Sequence, residues 1–241
     1  MGRHYPTKGH FEHRPLYEEL AEEFCRRITV GRWPVGRPLK TEAMIAAELG
    51  VSLGTVRRAF DRLEGMNLID RTPGRGTIVR ELDCERRLAS LTNVVDLNGT
   101  PVNGDIEIVD AAIVRADETV ATELGIDLGA PVVRVERVRS HLGRVFSVET
   151  AHHLTDGDEV PATDVLWASA RNFIVAGAIA VKRKEEVRAV AHSDVGRIAR
   201  FEGRTDPVLV VHRTLMAFDD APLEFCVAHC QLGRDLRYRI C

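Results

Sequence analysis

Residues 49 to 52, Leu-Gly-Val-Ser, constrain this chain more than any other stretch. They separate two runs of helical spacing, "EAMIAAEL" and "LGTVRRAFDRL". The glycine can take the left-handed conformation that stops one helix, and the serine can cap the next. Thr41 is placed to cap the first run, which buries Ile45 and Leu49, while Val56, Phe60 and Leu63 share one face of the second. A connection this tight predicts a helix-turn-helix. Upstream, Leu16, Leu20, Phe24 and Ile28 recur every four residues along a helix that Pro15 can open as its first residue, and "VGRWPVGRP" breaks it. Downstream, "LIDRTPGRGTIVR" reads as two short strands around a Pro-Gly turn. Three helices and a basic hairpin predict a winged helix-turn-helix over residues 14–80.

Residues 81–104, charged at first and then broken by Asn98-Gly99 and Asn103-Gly104, predict a linker. A second domain over 105–241 opens with the strand-like "IEIVDAAIV" and a helix from about Asp117 to Leu124. An internal echo follows: "PVVRVER" at 131–137 returns as "PVLVVHR" at 207–213, each copy leading into a turn, "HLGR" or "FDDAP", and a returning strand. These predict two β-hairpins of one sheet. Between them the pattern suggests a helical stretch around 163–178, a strand near 185–192 and a helix near 194–201. The fold class is therefore α+β, with a largely antiparallel sheet in the second domain.

Charge divides as the domains do. Residues 1–80 hold 14 Lys and Arg against 10 Asp and Glu, a net of +4; the rest hold 19 against 26, a net of −7, which together give the chain's −3. An anionic partner therefore suits the front of the chain alone. The longest apolar run, "FIVAGAIAV", is too short to span a bilayer, and "MGRHYPTKGH" lacks the apolar core of a secretory signal. Five cysteines without a CxxC pair suit reduced thiols in a cytoplasm. Cys226 and Cys230 would share one face of a strand with His229 on the other, and His152-His153 would likewise alternate, so the sequence points to no metal site and no cofactor.

The candidate DNA contacts are Thr41, Ser52 and Thr55 at the helix starts, Arg57, Arg58 and Arg62 on the third helix, and Gly74, Arg75 and Gly76 at the hairpin tip. Arg58 and Arg62, four apart on one side, repel by roughly a few tenths of a kcal/mol, a cost that a bound anion relieves. A solvated surface balanced by Asp61 and Glu64 is the competing explanation. Arg75, between two glycines, can enter a minor groove while the backbone approaches phosphate.

With its "PLY" opening, the threonine-glutamate pair before the second helix, "LGVS", "TVR" and "GRGT", the stretch 14–79 resembles the DNA-binding domain of the GntR family of bacterial transcription regulators. The resemblance implies a homodimer that reads a pseudopalindromic double-stranded operator. Two family arginines, one after the glutamate of the second helix and one after the serine of the turn, are replaced by Ala43 and Leu53; only Arg57 of that trio remains. An altered base preference is expected, with Leu53 able to meet a thymine methyl group.

The remainder resembles the ligand-sensing (UTRA) domain of the HutC subfamily, which has a chorismate-lyase-like fold, through "ELGIDLGAPVVRVERVR", the return strand at Glu149 and "DDAPLEF". The resemblance implies an effector pocket of Arg137, Arg139, Glu149, Ser169 and Glu224, and Arg171 stands where sugar-phosphate-sensing relatives carry tyrosine. Arg137 and Arg139, two apart on a strand, can converge on one carboxylate or phosphate, or Arg137 can pair with a carboxylate of the sheet. A sugar phosphate, a phosphonate or an acid such as urocanate fits the first arrangement. The whole implies an effector-controlled regulator, a repressor rather than an activator, in the cytoplasm and without a membrane partner. A chorismate-lyase-like enzyme and a constitutive DNA binder with a degenerate pocket stand as the alternatives.

Overall fold

The computed structural model describes residues 15–72, 74, 76–81, 91–155, 157, 159–175, 178–191, 201 and 207–239. Helix α1 (Leu16–Thr29) begins one residue later than expected, because Pro15 lies just outside it in an extended conformation. Leu20, Phe24 and Ile28 are buried on its inner face; Leu16, counted on the same stripe, is exposed at the free end. Helix α2 (Glu42–Leu49) is capped by Thr41, whose hydroxyl accepts from the Met44 N–H at 3.3 Å, and stops at Gly50 with φ +65°. Helix α3 (Leu53–Gly65) is capped by Ser52, which accepts from the Thr55 N–H at 3.1 Å. Each cap satisfies an N–H that the first helical turn leaves without a partner.

Strands β1 (Ile69–Thr72) and β2 (Gly76–Val79) form the hairpin, in register from Ile69 opposite Val79 to Thr72 opposite Gly76. The stretch that breaks α1 also braces this hairpin, since Val35 and Pro38 bridge to β2 and the Leu39 N–H donates to the Thr77 carbonyl at 2.7 Å. Phe24, Trp33 and Phe60 pack ring on ring behind the helices, with centroids 4.7 to 6.1 Å apart.

The second part is built on a six-stranded antiparallel sheet in the order β4-β5-β6-β11-β10-β9: β4 (Asp105–Arg115), β5 (Pro131–His141), β6 (Arg144–Leu154), β9 (Lys182–Val190), β10 (Val208–Met216) and β11 (Pro222–Cys230). The two echoing segments are β5 and β10, and their hairpins join where β6 pairs with β11. Helix α4 (Glu118–Leu124), capped by Asp117, covers one face through Val120, Ala121 and Leu124 packed on Val132 and Phe225. Helix α5 (Thr163–Asn172) lies over the other face, its Leu166 buried among Val133, Val135 and Ala151.

Two expectations need correction. The helical stretch read over 163–178 ends at Asn172, because Phe173 takes the left-handed conformation (φ +52°) and the apolar run turns into two short strands, β7 (Ile174–Val175) and β8 (Ala178–Ile179). A run apolar on every side carries no period to separate strand from helix. The stretch read as a linker is folded from residue 91 onward: β3 (Val94–Asp96) pairs with β12 (Leu236–Tyr238), and Leu91, Val94, Val95 and Val102 are buried. The expected helix near 194–201 falls almost wholly outside the described residues, and Phe201 itself is buried and not helical.

The winged domain rests on the sheet domain. Ile179 of β8 and Phe218, in the turn between β10 and β11, belong to the same apolar cluster as Phe24, Phe60 and Leu63, with Ile174 and Val181 packed beside them.

Gly104 precedes β4 at φ +73°, where an added Cβ would lie 2.7 Å from both a Phe146 ring atom and the Ser140 carbonyl oxygen; at Gly50 (φ +65°) it would meet nothing. Gly50→Ala should cost about 1–2 kcal/mol from backbone strain alone, and Gly104→Ala should cost clearly more. Denaturant unfolding followed through the chain's two tryptophans, Trp33 in the winged domain and Trp167 on α5, checks the order. Equal losses at the two positions would contradict it.

Candidate DNA interface and effector site

The end of α3 that follows the Leu-Gly-Val-Ser turn is open. Leu53 is 42% exposed, Gly54 presents no side chain, and the Arg57 guanidinium lies on the surface with its Nε donating to Glu42 of α2 at 3.1 Å. Ser52 and Thr55 hydroxyls lie 2.8 Å apart beside it. Glu42 also accepts from Arg71 of β1 at 3.3 Å, and Arg71 donates further to Glu64 and Asp61 of α3. One guanidinium thus clamps the hairpin to both helices, a role that sequence reading missed because its three partners lie 7 to 29 residues away.

The other two arginines of α3 stand elsewhere. Arg58 stacks over the Tyr17 ring of α1 at 5.8 Å, and Arg62 over Phe218 of the sheet domain at 5.3 Å. Both side chains are exposed on the side they share, each with an aromatic ring beside it. Exposed cation–aromatic contacts are worth about 0.5–1 kcal/mol, little enough for a phosphate to displace. At the hairpin tip Gly74 and Gly76 adopt φ +79° and +81°, as a tight turn requires; Arg75 lies outside the described residues.

In the sheet domain, β5 and β6 bring Arg137, Arg139 and Glu149 to the face under α5, and β11 adds Glu224. All four are buried. Arg137 donates through Nε to Glu149 at 2.6 Å and through both terminal nitrogens to Glu224 at 2.8 and 3.1 Å. Arg139 donates to Glu149 at 2.7 Å, to the carbonyl and side-chain oxygens of Asn103 at 3.0 and 2.7 Å, and to the Ala170 carbonyl at 3.3 Å. His153 meets Glu224 at 2.9 Å, and Ser147 donates to Glu149 at 3.2 Å. Arg137 therefore spends its donors on sheet carboxylates, the second of the two arrangements open from sequence, while Arg139 gives one to Glu149 and the rest to Asn103 and the Ala170 carbonyl. Burial opposes charge on Glu149, but Arg139, Arg137 and Arg213 outweigh it and hold the carboxyl down at about 2. Glu224 is likewise held well below the usual carboxylate range against burial, by Arg137 and His153.

Next to this network lies a cavity of about 450 Å³ lined by Val133, His153, Leu166, Ser169, Asn172 and Ile174 among others. The Ser169 hydroxyl is buried without a hydrogen-bond partner, and the residue lines that space. Arg171 lines neither this cavity nor a smaller one beside Arg139; its guanidinium stacks on Trp167 at 5.6 Å. That corrects its expected place among the effector contacts, since the turn of α5 between positions 169 and 171 carries the second away from the side of Ser169. Cys226 and Cys230 share the inner face as expected, with burial pushing each thiol up to about 12, so neither is a ready nucleophile. No group of three or more His, Cys, Asp or Glu is placed to hold a metal among the described residues.

Sequence reading also missed Arg213. It occupies in β10 the place that Arg137 occupies in the echoing segment, so the repeat carried the signal. It too points to the buried inner face, 3.6 Å from Glu224 and over the Phe173 ring.

A winged helix-turn-helix with an open recognition-helix end, coupled to a sheet domain with a buried polar site and a cavity, defines the architecture of a one-component DNA-binding regulator. Residues 16–79 match the family described as bacterial regulatory proteins, gntR family, and residues 103–234 match the UTRA domain. The chain belongs to the GntR family of bacterial regulatory proteins and carries a UTRA domain. It is 27% identical over 139 residues to the HTH-type transcriptional repressor NagR of Bacillus subtilis, an alignment covering 57% of each chain. It is 29% identical over 138 residues to the mannosyl-D-glycerate transport/metabolism system repressor MngR of Escherichia coli, covering 57% of this chain and 58% of that one. These alignments span little more than half the length of those relatives; the HTH-type transcriptional regulator GgaR of E. coli aligns over 95% of this chain and 92% of its own at 24% identity. Among solved structures, a ligand-binding domain from Bordetella bronchiseptica ascribed to a GntR-family regulator shares the fold, with a TM-score of 0.51 at 18% identity, covering 62% of this chain and 96% of that one.

Glu149 carries a pH prediction. Its folded value lies below the ordinary 4.5, so the stability it contributes is present above about pH 4.5 and is lost as pH falls towards 2. Glu149→Gln should cost about 3–5 kcal/mol at pH 7, because two buried guanidiniums lose their carboxylate. In thermal unfolding the gap between wild type and variant should narrow steadily from pH 4.5 to 2; a constant gap would show that the carboxylate charge is not what matters.

Proposed function

We propose that the chain is a ligand-responsive transcription regulator, a repressor, acting in the cytoplasm as a homodimer on a pseudopalindromic operator whose half-sites lie about one helical turn apart. Arg57 reaches a base edge, the Ser52 and Thr55 end of α3 meets phosphate, and Leu53 contacts a thymine methyl group. Arg62, Arg75 and the glycines of the hairpin tip engage the backbone once DNA is present. Two of the relatives are named as repressors, which supports the sign of the control.

The observation that carries the coupling is the position of Ile174. It lines the cavity of about 450 Å³ and also packs on the apolar cluster that holds α1 and α3. An effector that fills the cavity presses on β7 and β8, and through Ile179 and Phe218 alters how the winged domain is seated. Its effect can be no larger than its difference in affinity between the two seatings. The effector is a small anion of the sugar-phosphate, phosphonate or urocanate type. That MngR is named for mannosyl-D-glycerate, a sugar carrying a carboxylate, supports an acidic metabolite.

The test is an operator selected from random duplexes by the full chain. Arg57→Ala should weaken binding to it by about 5- to 150-fold, the equivalent of one bidentate base contact of about 1–3 kcal/mol. Replacing thymine by deoxyuridine at one position of each half-site should weaken wild type and leave Leu53→Ala unaffected. Arg57→Ala binding at wild-type affinity would refute the proposed docking of α3.

A further inference from the structure

The cavity of about 450 Å³ runs along one side of α5. Val165, Ala168, Ser169 and Asn172 line it, three or four residues apart over two helical turns, a length of roughly 10 Å. Pro161 and Val165 are exposed, so the cavity opens to solvent at that end; Val133, His153, Leu166 and Ser169 are buried further in. Leu154 and Ile174 complete its apolar walls. Among the described residues, no Lys, Arg, Asp or Glu lines it.

Four polar side chains reach the lining, and three of them are engaged. His153 meets Glu224 at 2.9 Å, Thr155 exchanges hydrogen bonds with the backbone of Gly157 at 3.0 and 3.1 Å, and Asn172 has a partner. The fourth, Ser169, is 8% exposed, and its hydroxyl has none. A buried hydroxyl left unpaired is costly, and a fold keeps one where something else supplies the partner.

This inventory separates the classes of effector. A sugar phosphate brings several hydroxyls as well as a charge, and these walls have one hydroxyl free to pair. Each polar group left unpaired there weakens binding by about 5- to 150-fold. A fully buried anion fares worse, since the lining offers it no cation among the described residues. Walls of this kind favour a hydrocarbon surface that leaves water. We infer that the cavity takes a small acid with a hydrocarbon or aromatic body. The body lies along α5, one uncharged oxygen or nitrogen pairs with the Ser169 hydroxyl, and the acid group stays in water at the open end. This rests on the ligand-responsive reading above and, within it, sets sugar phosphates aside.

Thermal unfolding of the full chain tests it. The apolar acids are octanoate, phenylbutanoate and benzoylpropanoate; the polar anions are glucose 6-phosphate and inorganic phosphate. The apolar acids should raise the wild-type midpoint, and the polar anions should not. Benzoylpropanoate, which adds one carbonyl to phenylbutanoate, should bind about 2- to 12-fold more tightly, the worth of one neutral hydrogen bond. Ser169→Ala should erase that advantage. Without ligand it should unfold at or above the wild-type midpoint, because it removes an unpaired hydroxyl. A midpoint raised by glucose 6-phosphate as much as by the apolar acids, or more, overturns the inference and leaves the ligand-responsive reading standing. So does a carbonyl advantage that is missing from wild type or survives in Ser169→Ala. A wild type that responds to none of the probes overturns both.

Discussion

A guanidinium with 1% of its side chain exposed can stay charged only if carboxylates come to it, and the sheet domain is arranged around that demand at Arg137. Glu149 reaches it from the neighbouring strand and Glu224 from the next one over. Bringing the two carboxylates to one guanidinium requires β6 and β11 to pair in the register seen, which ties the two echoing hairpins into one sheet. Arg139, bonded to both Glu149 and the Ala170 carbonyl, then fixes α5 over that face. The cavity beside α5, the placement of Ser169 and the left-handed turn at Phe173 follow from where α5 is held.

The winged domain has a smaller counterpart. Arg71 gathers Glu42, Asp61 and Glu64, so the hairpin and the recognition helix move as one body. Arg57 shares Glu42 with that clamp, which holds its guanidinium near α2. Among the described residues, by contrast, the contact between domains is carried by apolar side chains and the stacking of Arg62 on Phe218. Strong polar ties within each unit and weak apolar ones between them are the combination a switch needs, since the seating can change while both folds persist.

Local signals were legible in sequence and distant ones were not. Thr41, Gly50 and Ser52 act within four residues of themselves, so the helix-turn-helix could be read to the residue. The echo at 131–137 and 207–213 announced both hairpins. The strand pairing of Val94–Asp96 with Leu236–Tyr238 joins segments at opposite ends of the second domain, and no local pattern marks it. The apolar run after Asn172 hid two short strands because it is apolar on every side and so carries no period. The pocket residues Arg137, Arg139, Glu149 and Glu224 do converge, but on one another, and the spacing that brings them together could not say which partner each would take. Arg171 was misplaced for the same reason: the ring it stacks on, Trp167, competes with solvent only once the chain has folded.

The most direct measurement is the affinity of the full chain for its selected operator with and without a saturating concentration of the anion that most raises its unfolding midpoint. Fluorescence anisotropy of the labelled duplex at fixed salt reads both values. The account predicts weaker operator binding with the anion present, by about 5- to 150-fold, the usual range of coupling between two sites. The operator must weaken binding of the anion by the same factor. Equal operator affinities in the two conditions would contradict it, leaving a DNA-binding domain and an anion-binding domain that share a chain without controlling one another.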